Sequence, residues 1–331
     1  LVAARFNTAN LTLEGAAVPV VRSIQGYPEP LYSVSDTGTL VYVPAMKVSN
    51  PKLYMVDRKG NSHPITDGSS EPEDLALSPD GKTVVARVAA ANDDLWTFDT
   101  TRGTALRLTF EPGDEIFPQW TPDGKRIAYG TRTGTIYWRP ADGSGQREEL
   151  IHRDFPSYPS SFSPDGKWLA MVEATHTRAR DILIIPVGSD ERKPIPFQAT
   201  DADEWSAKFS PDGRLIAYVS NESGTTEIYI RSFRGATGRT RVTSNGGQLP
   251  VWARNGRELF FVKGTALMSV GIDGNGNPST TEHQLFDANA SGGRLSPDAT
   301  VYDVMPDGQH FVISLAPPAS APPYYEAIIN W

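Results

Sequence analysis

Ser-Pro-Asp-Gly turns recur along this chain at a nearly constant interval, and that interval limits the folds open to it. The clearest copies are Phe162-Ser163-Pro164-Asp165-Gly166, Phe209-Ser210-Pro211-Asp212-Gly213 and Trp120-Thr121-Pro122-Asp123-Gly124. Fainter copies are Leu77-Ser78-Pro79-Asp80-Gly81, Val34-Ser35-Asp36-Thr37-Gly38, Trp252-Ala253-Arg254-Asn255-Gly256 and Val304-Met305-Pro306-Asp307-Gly308. Pro presets φ for the second position of a type I turn, Ser or Thr suits the first position and Gly the fourth. Apolar runs such as Trp168–Val172 follow the turns without strict alternation, as expected of strands covered on both faces. The turn chemistry accounts for the repeated Asp without a metal or a catalytic role.

The anchors fall at Asp36, Asp80, Asp123, Asp165, Asp212, Asn255 and Asp307, with gaps of 44, 43, 42, 47, 43 and 52 residues. Short strands repeating every 40–45 residues or so are the signature of propeller blades of four strands each. The expectation is an all-β, seven-bladed β-propeller of four-stranded antiparallel blades, with residues 1–331 as a single domain. Six blades plus an extra hairpin carrying Asp307 is the alternative, which the long last gap admits. Blade three reads as Phe117–Trp120, Arg126–Gly130, Thr135–Arg139 and Arg147–Ile151. Blade five reads as Ala207–Ser210, Leu215–Ser220, Glu227–Arg231 and Arg239–Thr243. Phe162, Phe209, Trp120 and Trp252 stand at one offset before their turns and are expected to be buried between blades.

The ends of the chain supply the closure. Leu1–Phe6 and Ala17–Arg22 read as an outer strand pair, like Ala266–Val270 with Glu282–Phe286. Thr300–Val304 and His310–Ser314 read as an inner pair. One blade shared by both termini is the expected latch, with Ala327–Trp331 competing for a place in it.

These turns, with strands such as Arg126-Ile127-Ala128-Tyr129 and Leu215-Ile216-Ala217-Tyr218-Val219, resemble the WD40-like repeats of TolB-family propellers. Related repeats occur in the propellers of prolyl-oligopeptidase-type peptidases and of tricorn protease. Ser220–Gly224, Glu227–Ile230, Pro250–Trp252 and Gly256–Phe260 are similar to propellers that follow a transmembrane segment in bacterial serine/threonine kinases and related regulators. The resemblance implies a non-catalytic binding or sensor domain, extracytoplasmic, monomeric, and cut from a tethered parent. It implies a protein, peptide or small ligand docked at the central channel. It is informative about fold and poor about function, because the matching residues belong to turns and core.

Composition narrows the partners. The net charge of −8 gives no basic footprint for nucleic acid. There are no cysteines, which excludes disulfides and thiol nucleophiles. No apolar run approaches the length of a membrane span. Leu1-Val2-Ala3-Ala4 lacks the basic start and apolar core of a signal peptide, so a mature or excised domain is expected.

Candidate site residues come from the segments that lead into the inner strands and so lie at one channel mouth. They are Glu73, Asp74, Asp114, Glu115, Phe117, Tyr158, Asp203, Glu204 and Trp205, with Arg294 offsetting part of the acid. An acidic, aromatic-rimmed mouth concentrates cations or a basic peptide, and its oxygen ligands would suit Ca²⁺ in the channel. Solvated loop charge is the plainer reading. Asp273-Gly274-Asn275-Gly276-Asn277 has the alternation of a calcium loop but Pro278 where Gly is needed, and a turn explains it equally well. The five histidines form no metal motif, and neither a Gly-x-Ser-x-Gly elbow nor a Walker loop is present. A hydrolase or lyase with its site in the channel mouth is the competing class.

Overall fold

The computed structural model describes residues 2–20, 32–37, 39–42, 52–67, 72–89, 92–176, 179–188, 191–235, 238–288, 301–315 and 326–329. The chain forms two compact units. One holds Leu1–Ser49 and Pro317–Trp331, the other Asn50–Ala316.

In the first unit, β1 (Val2–Asn7) and β2 (Thr12–Pro19) pair only with each other among the described residues. β3 (Tyr32–Val34) and β4 (Thr39–Tyr42) form a hairpin around the Asp36 turn.

The second unit opens with β5 (Lys52–Asp57) and β6 (Ser62–Pro64). Four-strand meanders follow. The first is β7 (Pro72–Leu77), β8 (Thr83–Val88), β9 (Asp94–Asp99) and β10 (Ala105–Arg107). The second is β11 (Glu115–Trp120), β12 (Arg126–Thr131), β13 (Thr135–Pro140) and β14 (Glu148–His152). The third is β15 (Ser157–Phe162), β16 (Trp168–Ala174), β17 (Arg180–Pro186) and β18 (Ile195–Gln198). The fourth is β19 (Glu204–Phe209), β20 (Leu215–Ser220), β21 (Glu227–Ser232) and β22 (Arg239–Arg241). The fifth is β23 (Gln248–Trp252), β24 (Glu258–Lys263), β25 (Ala266–Ile272) and β26 (Pro278–Asp287). The unit ends on β27 (Tyr302–Val304) and β28 (His310–Leu315). Finally β29 (Glu326–Ile329) pairs with β4 in the first unit.

The architecture is all-β, with four-stranded antiparallel sheets in a propeller-like arrangement. Seven such sheets are not present among the described residues. Four are separate, and an eight-stranded sheet consists of the second and third meanders, joined by a single Thr131–Ser157 pairing. A Cβ on Gly130 would sit 2.7 Å from the Ser157 carbonyl oxygen, so the absent side chain permits that approach. The Asp36 turn, counted as a blade anchor in the sequence, serves the β3–β4 hairpin instead.

The latch also differs from expectation. The inner pair β27–β28 takes its outer half from β5–β6, with Phe311 opposite Val56 and Ile313 opposite Tyr54, and not from residues 1–22. The expected competitor at the C-terminus, β29, pairs with β4 rather than with this sheet.

Apolar clusters lie between consecutive sheets. Phe162 packs with Ala128, Ile136 and Leu150 of the preceding meander, Phe209 with Ala170 and Ile184, and Trp252 with Val219 and Ile228. These three aromatics are buried, while Trp120 is half-buried against Ala76 and Val85. The Trp120 indole donates to the Ala76 carbonyl at 3.1 Å, and the Trp252 indole to the Lys208 carbonyl at 3.0 Å, so equivalent bonds cross equivalent interfaces. The closing sheet packs through Val56 and Phe311 on Leu249 and Phe260, and through Leu53 and Val312 on Leu75 and Val84. Inner strands β7, β11, β15, β19, β23 and β27 neighbour one another in that order, and β27 returns to β7.

The turns are built as their sequence requires. The Gly81 amide donates to the Ser78 carbonyl, and the Ser78 hydroxyl donates to Asp80, which accepts from the Lys82 amide. The same bonds recur at Thr121/Asp123, Ser163/Asp165 and Ser210/Asp212. Asp273 likewise spends its carboxylate on Asn275 and Asn277 within its own turn.

Candidate functional site

Five of the six inner strands of the second unit carry an irregularity near their starts, β27 being regular. The register of β7, β11, β15, β19 and β23 against the following strand slips there by a bulge. Six residues before the turn anchor, Asp74, Phe117, Ser206 and Leu249 adopt left-handed backbone, with φ of 47°, 51°, 54° and 53°. A non-glycine residue there costs about 1–2 kcal/mol. A bulge re-aims side chains beside it, and here it turns one end of the inner strands into a shaped mouth.

Three arginines organise that mouth. Arg87 of β8 reaches Asp74 at 2.8 Å, Asp93 at 2.7 Å and the carboxylate of Glu73. Arg132 pairs with Asp114 at 2.5 Å and approaches Asp93 at 3.8 Å. Asp114 also accepts from the Asp93 amide, and the Arg132 bond first among these influences holds its carboxyl below the usual carboxylate range. Arg180 clamps Asp203 through Nε at 2.8 Å and a terminal nitrogen at 2.6 Å. Its guanidinium lies 4.3 Å from the centre of the Trp205 ring and near the Tyr158 hydroxyl. Tyr158 stacks on Phe117 with centroids 4.2 Å apart, and burial pushes its hydroxyl upward in pKa.

The structure therefore brings Glu73, Asp74, Asp114, Phe117, Tyr158, Asp203 and Trp205 to contiguous positions. It does not bring Glu115 and Glu204 there. Both are buried between sheets, where Glu115 accepts from the Thr109 hydroxyl at 2.9 Å and Glu204 from the Thr200 hydroxyl. Arg294 lies outside the described residues. Among the described residues no group of three or more His, Cys, Asp or Glu side chains is placed to hold a metal ion. The mouth carboxylates turn their oxygens to guanidinium groups, a poor donor set for Ca²⁺, which takes six to eight converging oxygens.

Glu115 has a consequence for stability. Burial first, with Asp94 and Glu111 nearby, raises its carboxyl to about 7. An acid whose folded pKa is raised favours folding below its unfolded pKa and loses that advantage as pH rises through the folded value. Glu115→Gln is expected to flatten the decline in stability between about pH 4.5 and 7 and to raise the melting temperature at pH 8. Urea unfolding across that range checks it; a variant less stable than the native chain at pH 8 would contradict the assignment.

The sequence reading passed over the channel interior. Four residues before each anchor stand Ala76, Gln119, Ser161, Lys208, Val251 and Asp303, and all six line one cavity of about 460 Å³ on the turn side. The signal was available as a fixed offset in the repeat, at which polar and charged residues replace the apolar residue of a core strand.

No family model matches the chain. Over 181 residues it is 28% identical to "Uncharacterized peptidase YuxL" of Bacillus subtilis, covering 54% of this chain and 26% of that protein. Over 258 residues it is 24% identical to dipeptidyl-peptidase 5 of Porphyromonas gingivalis, covering 58% of this chain and 37% of that protein. The chain thus spans well under half the length of either peptidase. Among solved structures, a TolB-type protein of Agrobacterium tumefaciens superposes with a TM-score of 0.66 at 18% identity, covering 81% of this chain and 99% of that one. That likeness shows a β-propeller fold.

Proposed function

We propose that residues 50–316 form a six-bladed binding propeller whose arginine-laced mouth docks a basic segment of a protein or peptide. Six inner strands that neighbour in order, with β27 returning to β7, support the ring. The observation that carries the binding role is the Phe117–Tyr158–Arg180–Trp205 array beside a surplus of acid. Glu73, Asp74, Asp93, Asp114 and Asp203 face three guanidinium groups, which leaves two negative charges in excess. Aromatic faces with local negative charge attract Lys and Arg side chains. Trp205 and Glu73 are half-buried, so both retain surface for a partner.

Calorimetry with a short Lys/Arg-rich peptide tests this reading. The native chain is expected to bind with a Kd in the micromolar range, and Trp205→Ala and Glu73→Gln each to weaken binding by about tenfold. Equal heats in all three proteins would overturn it. The competing class, a hydrolase or lyase acting at the channel mouth, predicts turnover of an ester, lactone or uronic-acid sugar that is lost in the same variants.

The finer setting is an extracytoplasmic sensing module, monomeric, in a membrane-tethered regulator of the kind whose propellers follow a transmembrane segment. The likeness to a TolB-type fold and the residues quoted for regulator-linked propellers support it. Among the described residues no helix is long and apolar enough to cross a membrane.

A further inference from the structure

The turn side of the channel holds charged groups that the arginine-laced mouth does not use. Its cavity of about 460 Å³ falls within the size range of small-molecule sites. Lys208 Nζ donates to the Ser160 carbonyl at 2.9 Å and to Gln119 Oε1 at 3.3 Å. An ammonium has three donors, so one remains for a ligand. Across the cavity, Asp303 accepts from the Leu77 amide at 2.8 Å through one oxygen and from the Val304 amide at 2.7 Å through the other. Each oxygen keeps a lone pair for a further donor. Lys208 and Asp303 sense each other's charge, and burial lowers the pKa of the ammonium while raising that of the carboxyl.

The rim adds a second cation. Pro79, Pro122, Pro164 and Pro211 occupy the second turn position around this opening, and Arg254 stands at the matching place. Arg254 is exposed, donates to the Ser78 carbonyl at 3.4 Å, and has no other hydrogen-bond acceptor among the described residues. Two cations and one carboxylate leave one positive charge beside a strong acceptor. A ligand complementary to that set carries one carboxylate and a hydroxyl donor within a few bonds of it.

We propose that the turn-side cavity binds a small hydroxycarboxylate, its carboxylate held by Lys208 and Arg254 and its hydroxyl donating to Asp303. The site stands on residues other than those of the arginine-laced mouth, so either proposal can fail without the other.

Calorimetry of the full chain with glycerate, lactate and gluconate tests it, with glycerol and sorbitol as uncharged counterparts and inorganic phosphate as an anion of different shape. At least one hydroxycarboxylate is expected to bind with a Kd below about 1 mM, and the polyols not to bind. Lys208→Met and Arg254→Pro are each expected to weaken that binding by about tenfold or more. Arg254→Pro restores the residue found in the other turns, so it keeps the test decisive even where Lys208→Met fails to fold. Trp205→Ala is expected to leave the hydroxycarboxylate heat unchanged. Absence of heat with all three acids, polyols binding as well as the acids, phosphate binding as tightly as the best acid, or binding indifferent to Arg254→Pro would each overturn the proposal.

Discussion

A chain of residues 50–316 is expected to unfold in one cooperative thermal transition, and a chain of residues 68–316 is not. The difference is β5 and β6. β5 supplies six pairing residues to β28, from Lys52 opposite Leu315 to Asp57 opposite His310. Leu53 and Val56 are fully buried, one against each neighbouring sheet. Losing two such side chains would by itself cost roughly 4–10 kcal/mol, comparable to the whole stability of a typical domain. The exposed β28 edge would also invite association between chains. Circular dichroism melts and light scattering measure both effects. A cooperative melt in the shorter chain would mean that β5–β6 is dispensable for closure. Failure of the longer chain to fold would mean instead that the second unit depends on residues outside 50–316.

Trp252→Ala is expected to cost about 3–5 kcal/mol, the usual range for truncating a buried Trp or Phe. The side chain is 7% exposed and packs across the interface between the fourth and fifth meanders. Its loss also leaves the Lys208 carbonyl without its indole donor. For a unit of this size the melting temperature should fall by roughly 10 °C. Trp120→Ala, at the half-buried equivalent, should cost distinctly less. Equal losses at the two sites would show that burial at this offset does not set the energy.

The local structure was legible because the turn motif carries its own mechanism. Ser or Thr, Pro, Asp and Gly each have a defined place in a type I turn, and the strands given for blades three and five followed to within three residues. Which sheet a hairpin joins is a different matter. The Asp36 turn has local chemistry close to that of the others, yet its hairpin joins β29 through β4, and β3 pairs only with β4. Pairing of β27–β28 with β5 rather than with the N-terminal strands is set by contacts some 250 residues apart, to which no turn signal refers.

The candidate site was legible in part for a similar reason. Asp114 and Asp203 share a place nine residues before their anchors and both reach the mouth. Glu115 and Glu204 follow directly, and the alternation of side chains along a strand sends them between sheets. The arginines that neutralise the mouth left no trace in the repeat, since Arg87, Arg132 and Arg180 come from the second strand, the loop after it and the third strand of different meanders.

The six axial residues Ala76, Gln119, Ser161, Lys208, Val251 and Asp303 occupy one repeated backbone position with six different side chains. The scaffold is quasi-symmetric and its lining is not. A molecule entering the channel meets a single rotational setting in which its charges are matched, because turning it by one blade would move it from Lys208 to Val251 or to Ser161. Transplanting the lysine to position 161, with Lys208→Ser, would keep the composition of the lining and rotate the preferred orientation of whatever binds there. The lining at the axis can thus be changed by substituting side chains alone, while the turns and the interfaces between sheets stay as they are.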